Sequence, residues 1–104
     1  MAEKRKGLSG MMYCCLYDIS STGRRSKAAQ LCKDYGLIRL QKSCFFGRME
    51  EQKKKAFELE MTKLAEGEDS ICLIPLHQDT IKKIKGWGTF SVKGIWEKEA
   101  VCFI

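Results

Sequence analysis

The segment MMYCCLYDIS, residues 11–20, decides the fold. Its first seven residues are apolar or aromatic without interruption, and the run ends at Asp18. Unbroken apolar character over this length is typical of a strand buried on both faces, so the segment predicts the central strand of a sheet. The hydroxyls that follow can accept hydrogen bonds from the first amides of a helix, which predicts an N-cap at Ser20, Ser21 or Thr22.

The following segments change between helical and extended periodicity. One face of a first helix carries Ala28, Leu31, Cys32 and Tyr35, and Gly36 ends that helix. From 38 to 47 the apolar residues alternate, which predicts two strands or one bent strand. A second amphipathic helix is expected at 49–66. A second strongly buried strand is expected at 70–76, where Pro75 marks the strand end or an edge position.

The order of these elements predicts the fold class. Strand, helix, strand pair, helix and strand match the ferredoxin-like βαββαβ arrangement, an α+β fold. With 104 residues there is room for one domain with a thin core, so pairing into a homodimer is expected. We divide the chain into a flexible N-terminal extension (1–10), the ferredoxin-like domain (11–88) and a C-terminal strand or tail (89–104). The apolar tail either docks on a partner subunit or covers its own core.

Composition narrows the class of partner. The chain has 19 basic and 13 acidic residues, a formal net charge of +6, which favours nucleic acid first and an acidic membrane surface second. A merely solvated basic surface is equally compatible with this charge. No apolar run is long enough to span a bilayer or to form a signal-peptide core, so we expect a cytoplasmic protein with no membrane partner. The six cysteines lack CxxC spacing and are expected to be reduced, small hydrophobes.

Asp18 is the main candidate for chemistry. It is the first charge after a buried strand and stands where that strand meets a helix. It could simply cap the turn. However, Mg²⁺ accepts one or two carboxylates, with water and phosphate oxygens completing its shell, and a two-fold axis could bring two copies of Asp18 together. The one histidine, His77, is interpreted as a surface residue, and no Walker-type phosphate loop is present.

Several stretches together resemble the CRISPR-associated protein 2 family over about residues 11–88. They are MYCCLYDIS, the paired arginines of SSTGRRSKAAQL, DYGLIRLQKSCFFGRM and DSICLIPL. The resemblance implies a ferredoxin-like fold and a symmetric homodimer whose sheets face one another, with a C-terminal strand crossing to the partner. It also implies a role in acquiring new spacers, in which the dimer bridges two dimers of the CRISPR integrase against captured DNA.

The resemblance also implies functional residues. The family's metal-site aspartate falls on Asp18, with Mg²⁺ or Mn²⁺ as the ion, and its tyrosine falls on Tyr17 as a second catalytic residue. The implied nucleic-acid contacts are Arg24, Arg25, Lys27, Arg39 and Ser43, and Phe45 has a structural or dimer role. Two departures matter, because Lys27 stands where some members have arginine and Phe46 replaces an acidic residue. Lysine can pair with phosphate, but not through two parallel bonds.

Three functional hypotheses follow. The favoured one is a metal-dependent endonuclease that hydrolyses phosphodiester bonds of DNA or RNA, as several family members are described. The second is a non-catalytic scaffold that grips duplex DNA through its basic helices. The third is a toxin-like endoribonuclease on the same fold. The sequence does not separate these alternatives.

Overall fold

The computed structural model describes residues 10–88, so the predictions for 1–9 and for the C-terminal strand or tail at 89–104 lie outside the described residues. The elements in chain order are β1 (Met11–Asp18), α1 (Thr22–Asp34), β2 (Ile38–Gln41), β3 (Cys44–Met49), α2 (Glu51–Leu64), β4 (Ser70–Leu76) and α3 (Gln78–Lys82). The four strands form one antiparallel sheet in the order β2-β3-β1-β4. This is the predicted ferredoxin-like arrangement, and the predicted fold class is confirmed, while the homodimer stays a prediction.

Local sequence explains where α1 begins and ends. The Ser21 hydroxyl accepts the Arg24 amide at 3.2 Å and caps the first turn, within the range predicted. At the other end Gly36 has a φ of +85°, a conformation that glycine adopts at little cost, and the Leu37 amide returns to the Cys32 carbonyl at 3.0 Å. Leu37 is buried by this turn. The chain therefore leaves α1 in the direction that starts β2.

The two faces of the sheet are covered differently. Helices α1 and α2 pack on one face, which we call the helix-covered face, and enclose the main core of Tyr13, Cys15, Tyr17, Ile19, Ala28, Ala29, Cys32, Leu37, Phe45, Met49, Phe57 and Met61. Of the helices within residues 10–88, only α3 packs on the other face, which we call the open face, through Ile81 against Met12 and Phe46. Because Phe46 is fully buried there, an acidic side chain at this position would lie in an apolar contact.

Two burial predictions are wrong for the same reason. β1 is the central strand as expected, but its Leu16 is 39% exposed on the open face. β4, for which strong burial is predicted, lies at a sheet edge, and its Cys72 and Ile74 are exposed. α3 is too short to cover the part of the open face that carries these residues. The edge position of β4 agrees with the prediction that Pro75 marks a strand end or an edge strand.

Candidate nucleic-acid interface and active site

The predicted catalytic pair, Tyr17 and Asp18, closes β1 but does not share one side of the sheet. Successive residues of a strand point to opposite faces. Tyr17 is therefore buried on the helix-covered face, whereas Asp18 is exposed on the open face, opposite Ser70 of β4. The Tyr17 amide donates to the Ser43 carbonyl at 3.1 Å, which fixes this end of the strand. The two side chains thus serve different surfaces.

A pocket of about 410 Å³ opens on the Tyr17 side, between α1 and the turn that joins β2 to β3. Its wall includes four cationic side chains, those of Arg25, Lys33, Arg39 and Lys42, and none of the described residues that line it is acidic. We call it the cationic pocket. Four positive charges that converge in this way create a local potential that attracts an anion.

The two arginines of the cationic pocket are held by neutral acceptors. Arg25 donates to the Ile19 carbonyl at 2.9 Å, to the Ser20 carbonyl at 3.1 Å and to the Thr22 hydroxyl at 3.2 Å. Arg39 donates to the Lys42 carbonyl at 3.2 Å, and its guanidinium lies 5.0 Å above the Phe45 ring. These contacts orient both guanidinium groups without neutralising them. Their charge therefore remains available to a phosphate.

The Tyr17 hydroxyl supplies an unused polar group at this pocket. It is buried and has no hydrogen-bond partner among residues 10–88. Burial raises the pKa of Tyr17, while the nearby Arg39 acts in the opposite direction. The Tyr17 ring stacks on Phe45 with centroids 6.3 Å apart, so Phe45 supports both Tyr17 and Arg39. An unsatisfied buried hydroxyl costs about 1–3 kcal/mol, which an anionic acceptor in the pocket would offset.

Arg24 differs from Arg25 although the two are adjacent. It donates to both carboxylate oxygens of Asp69, at 2.8 and 3.3 Å, and to Glu66 at 3.2 Å. The Arg24 hydrogen bond lowers the pKa of the Asp69 carboxyl below its usual range. Arg24 therefore ties α1 to the segment before β4, and its charge is compensated within the chain.

Two other predicted contacts also lie away from the cationic pocket. Lys27 lines a separate groove together with Asp34, Glu60 and Lys63. Ser43 is half-buried in the turn before β3, where its carbonyl accepts the Tyr17 amide. Of the predicted nucleic-acid residues, the structure brings Arg25 and Arg39 together beside Tyr17.

Lys33 and Lys42 are pocket residues that the sequence interpretation missed. Arg25, Ala29 and Lys33 follow one another at intervals of four, so they lie on one face of α1. That spacing is the signal that could have found Lys33. Lys42 follows β2 in the turn and has no comparable signal in the sequence, because its position depends on how the hairpin folds.

Asp18 is the residue that the sequence predicts as a metal ligand. Among the described residues no group of three or more His, Cys, Asp or Glu side chains could hold a metal ion. One chain therefore offers no closed metal cage in this part of the structure. The exposed carboxylate of Asp18 fits Mg²⁺ only as one of the few protein ligands that this ion needs when water and phosphate supply the others.

Comparisons with known proteins point to one family. The CRISPR-associated endoribonuclease Cas2 of Korarchaeum cryptofilum is 44% identical over 43 residues, 41% of this chain and 46% of that protein, so the match spans less than half of that relative. The CRISPR-associated endoribonuclease Cas2 1 of Pyrobaculum aerophilum is 32% identical over 73 residues, 70% of this chain and 76% of that protein. The solved Streptococcus pyogenes Cas2 superposes with a TM-score of 0.68 at 25% identity, covering 75% of this chain and all of that one. The family profile described as CRISPR associated protein Cas2 matches residues 11–84, from the start of β1 to just beyond α3, and the chain belongs to that family.

Proposed function

We propose that this chain is a homodimeric, metal-dependent endonuclease of the CRISPR system that hydrolyses phosphodiester bonds. RNA is the first substrate to test, since relatives at 44% and 32% identity carry the name endoribonuclease. The observation that carries the proposal is the cationic pocket, which lies at the same end of the sheet as the exposed Asp18. The cationic pocket and the candidate carboxylate ligand thus lie at the end of the same strand, on opposite faces of the sheet.

The pocket residues would bind the backbone of the substrate. Arg25 and Arg39 can each present two parallel N–H donors to a phosphate, while Lys33 and Lys42 add point charges at the rim. The Tyr17 hydroxyl would donate to a phosphate oxygen and so gain the partner that it lacks among the described residues. These groups hold the backbone in place and offset negative charge that develops on the phosphate.

Asp18 would hold the ion. A bound Mg²⁺ or Mn²⁺ lowers the pKa of a water ligand and polarises the phosphate, chemistry that the side chains of this pocket do not supply. Because one carboxylate is a poor site, the proposal includes the Asp18 of a second copy. Asp18 would hold the ion at the end of β1, on the face opposite the cationic pocket, while the pocket residues bind the substrate backbone.

The open face supports pairing of two copies. Leu16 on β1 and Ile74 on β4 are exposed diagonal neighbours, and Leu16 lies two residues from Asp18 along the strand. Exposed apolar side chains on an extended sheet surface are typical of a contact site. Two sheets that meet through this face, about a two-fold axis near Leu16, would bring the two Asp18 residues together.

The rival function is a non-catalytic scaffold that binds duplex DNA and bridges integrase dimers. The cationic pocket supports it equally, because phosphate binding requires no Asp18. A scaffold should bind with an affinity that does not depend on sequence and falls steeply with salt. The plot of log affinity against log salt concentration should fall with a slope of about 0.9 per phosphate contacted. Binding to the CRISPR integrase, measured by pull-down, belongs to either function.

The experiment compares the wild-type chain with Asp18→Asn on labelled single-stranded RNA and duplex DNA, with and without Mg²⁺. We expect Mg²⁺-dependent cleavage by the wild type and none by Asp18→Asn, with unchanged nucleic-acid binding. Asp34→Asn, an exposed carboxylate on α1, serves as the matched control and should cleave normally. Equal cleavage by wild type and Asp18→Asn would indicate contamination and favour the scaffold.

A further inference from the structure

Two cysteines on neighbouring strands approach each other on the open face. The Sγ atoms of Cys14 on β1 and Cys44 on β3 are 3.7 Å apart, and one thiol donates a hydrogen bond to the other. In the sheet register Cys14 lies opposite Phe46 and Cys44 lies opposite Leu16, so the two cysteines are diagonal neighbours. Diagonal side chains on one face of an antiparallel pair are within contact distance.

The other cysteines of the described region differ in a way that makes this pair distinct. Cys15 and Cys32 also neighbour one another, but they lie in the main core with no exposed surface. Cys72 is exposed on β4, on the same face as Cys14 and Cys44. Cys14 and Cys44 are both partly exposed, so a small reagent can reach the paired sulfurs.

The hydrogen bond also prepares one sulfur for reaction. When the Cys14 thiol donates the hydrogen bond, it stabilises the Cys44 thiolate and lowers the pKa of Cys44 to about 7, while the same bond raises the pKa of Cys14. Since the thiolate is the nucleophile in thiol–disulfide exchange, the lowered pKa favours Cys44 as the attacking sulfur. Cys14 is then placed as the resolving thiol.

We propose that Cys14 and Cys44 form a thiol–disulfide exchange site, which a low-molecular-weight disulfide such as oxidised glutathione converts to an intrachain disulfide. This inference does not depend on the proposed nuclease activity. It concerns a pair of sulfurs that neither the cationic pocket nor Asp18 uses.

The reaction proceeds in two exchanges. The Cys44 thiolate attacks one sulfur of the small disulfide, whose S–S bond breaks, and one small thiolate leaves and takes up a proton. Cys14 then loses its proton to solvent and attacks the Cys44 sulfur, releasing the second small thiolate, which is protonated in turn. Two protein thiols are oxidised and one small disulfide is reduced to two thiols. The sulfurs must close from 3.7 Å to about 2.05 Å. Because diagonal residues of a strand pair lie about 7–8 Å apart, side-chain rotation must be accompanied by a small shift of the two strands.

The product would link β1 to β3 beside the apolar residues of the open face. A covalent bond between the two middle strands restricts the sheet, and it replaces two polar thiols by one apolar disulfide. Excess reduced thiol would reverse the reaction, because exchange runs in both directions.

The experiment treats the full chain with oxidised glutathione, blocks remaining thiols and maps tryptic peptides without reduction. We expect a link between the peptide that contains Cys14 and Cys15 and the peptide that contains Cys44, and its loss after addition of dithiothreitol. A dilution series is included, because a dimer formed through the open face would slow the exchange at high concentration. The disulfide link is expected at the lowest protein concentration of the series.

Single substitutions assign the sulfurs. Cys14→Ser should lose the link and accumulate one glutathione on Cys44, because the resolving thiol is missing. Cys15→Ala, which keeps Cys14 on the same peptide, and Cys72→Ser should both form the link as the wild type does. Absence of the link in the wild type, its persistence in Cys14→Ser, or its loss in Cys72→Ser would each overturn the proposal.

Discussion

The helix-covered face and the open face of the sheet carry alternate residues of the same strands, yet they differ in burial, charge and chemistry. On the helix-covered face Tyr17 and Phe45 are buried beneath two helices, and Tyr17 borders four cationic side chains. On the open face Leu16 and Ile74 remain exposed, and Asp18 lies on the same face two residues beyond Leu16. One step along a strand therefore separates Tyr17, which lines the cationic pocket, from Asp18, the candidate metal ligand.

This difference also separates the residues that stabilise the fold from the surfaces that a partner could bind. The helix-covered face packs its apolar residues against its own helices, so its rim is the part that can bind a ligand. The open face keeps apolar and thiol side chains accessible beyond the short helix α3. A second copy is the partner proposed for that surface.

The largest expected effect comes from the core beneath the cationic pocket. Phe45→Ala should lower the free energy of unfolding by about 3–5 kcal/mol, since Phe45 is fully buried and supports Tyr17 and Arg39. Leu16→Ala on the open face should lower it by under about 1 kcal/mol in dilute solution, because the side chain is already partly solvated. Urea unfolding of both variants measures the difference. Equal losses would mean that the open face is covered in the single chain.

A smaller effect should distinguish the two adjacent arginines. Arg25→Ala should weaken binding to single-stranded RNA and reduce the slope of log affinity against log salt by about 0.7 for each phosphate that the variant no longer binds. Arg24→Ala should leave that slope unchanged, because Asp69 and Glu66 compensate its charge. Fluorescence anisotropy across a salt series gives both slopes. If Arg24→Ala reduces the slope as much as Arg25→Ala does, the claim that only Arg25 of this pair is available to phosphate is wrong.

The smallest effect concerns acid stability. Arg24 holds the pKa of Asp69 below its ordinary value of 3.8, so folding favours the ionised form of this carboxyl. Its contribution is complete above the unfolded pKa, near pH 4, and is lost as the pH falls through the lower folded pKa. Asp69→Asn should therefore have a lower thermal unfolding midpoint than the wild type at pH 7. The difference between the two midpoints should become smaller below pH 4. Unfolding midpoints of both proteins between pH 2 and pH 7 measure this difference, and a difference that does not change with pH would contradict the ion pair.

The order of elements could be predicted because each has a local cause. The apolar run before Asp18, the cap at Ser21 and the stop at Gly36 are signals carried by a few neighbouring residues. Burial of β4 could not be predicted in this way. SICLIPL has the composition of an interior strand, but its burial depends on how far α3 extends over the open face.

The candidate site could be predicted only in part, for two physical reasons. The family resemblance implies that Tyr17 and Asp18 share one catalytic site, although strand alternation already implies opposite faces. Arg24 and Arg25 look alike in sequence, and the Asp69 that distinguishes them lies 45 residues away from Arg24. A contact of that range follows from the tertiary fold and not from local pattern.

The most direct test of the proposed shared metal site is the number of Mn²⁺ ions bound per chain. Electron paramagnetic resonance of free Mn²⁺ can measure it at a protein concentration where sedimentation shows the dimer. We predict one ion for every two chains and loss of that ion in Asp18→Asn. One ion per chain, undiminished binding by Asp18→Asn, or a chain that stays monomeric at every concentration would contradict the shared site.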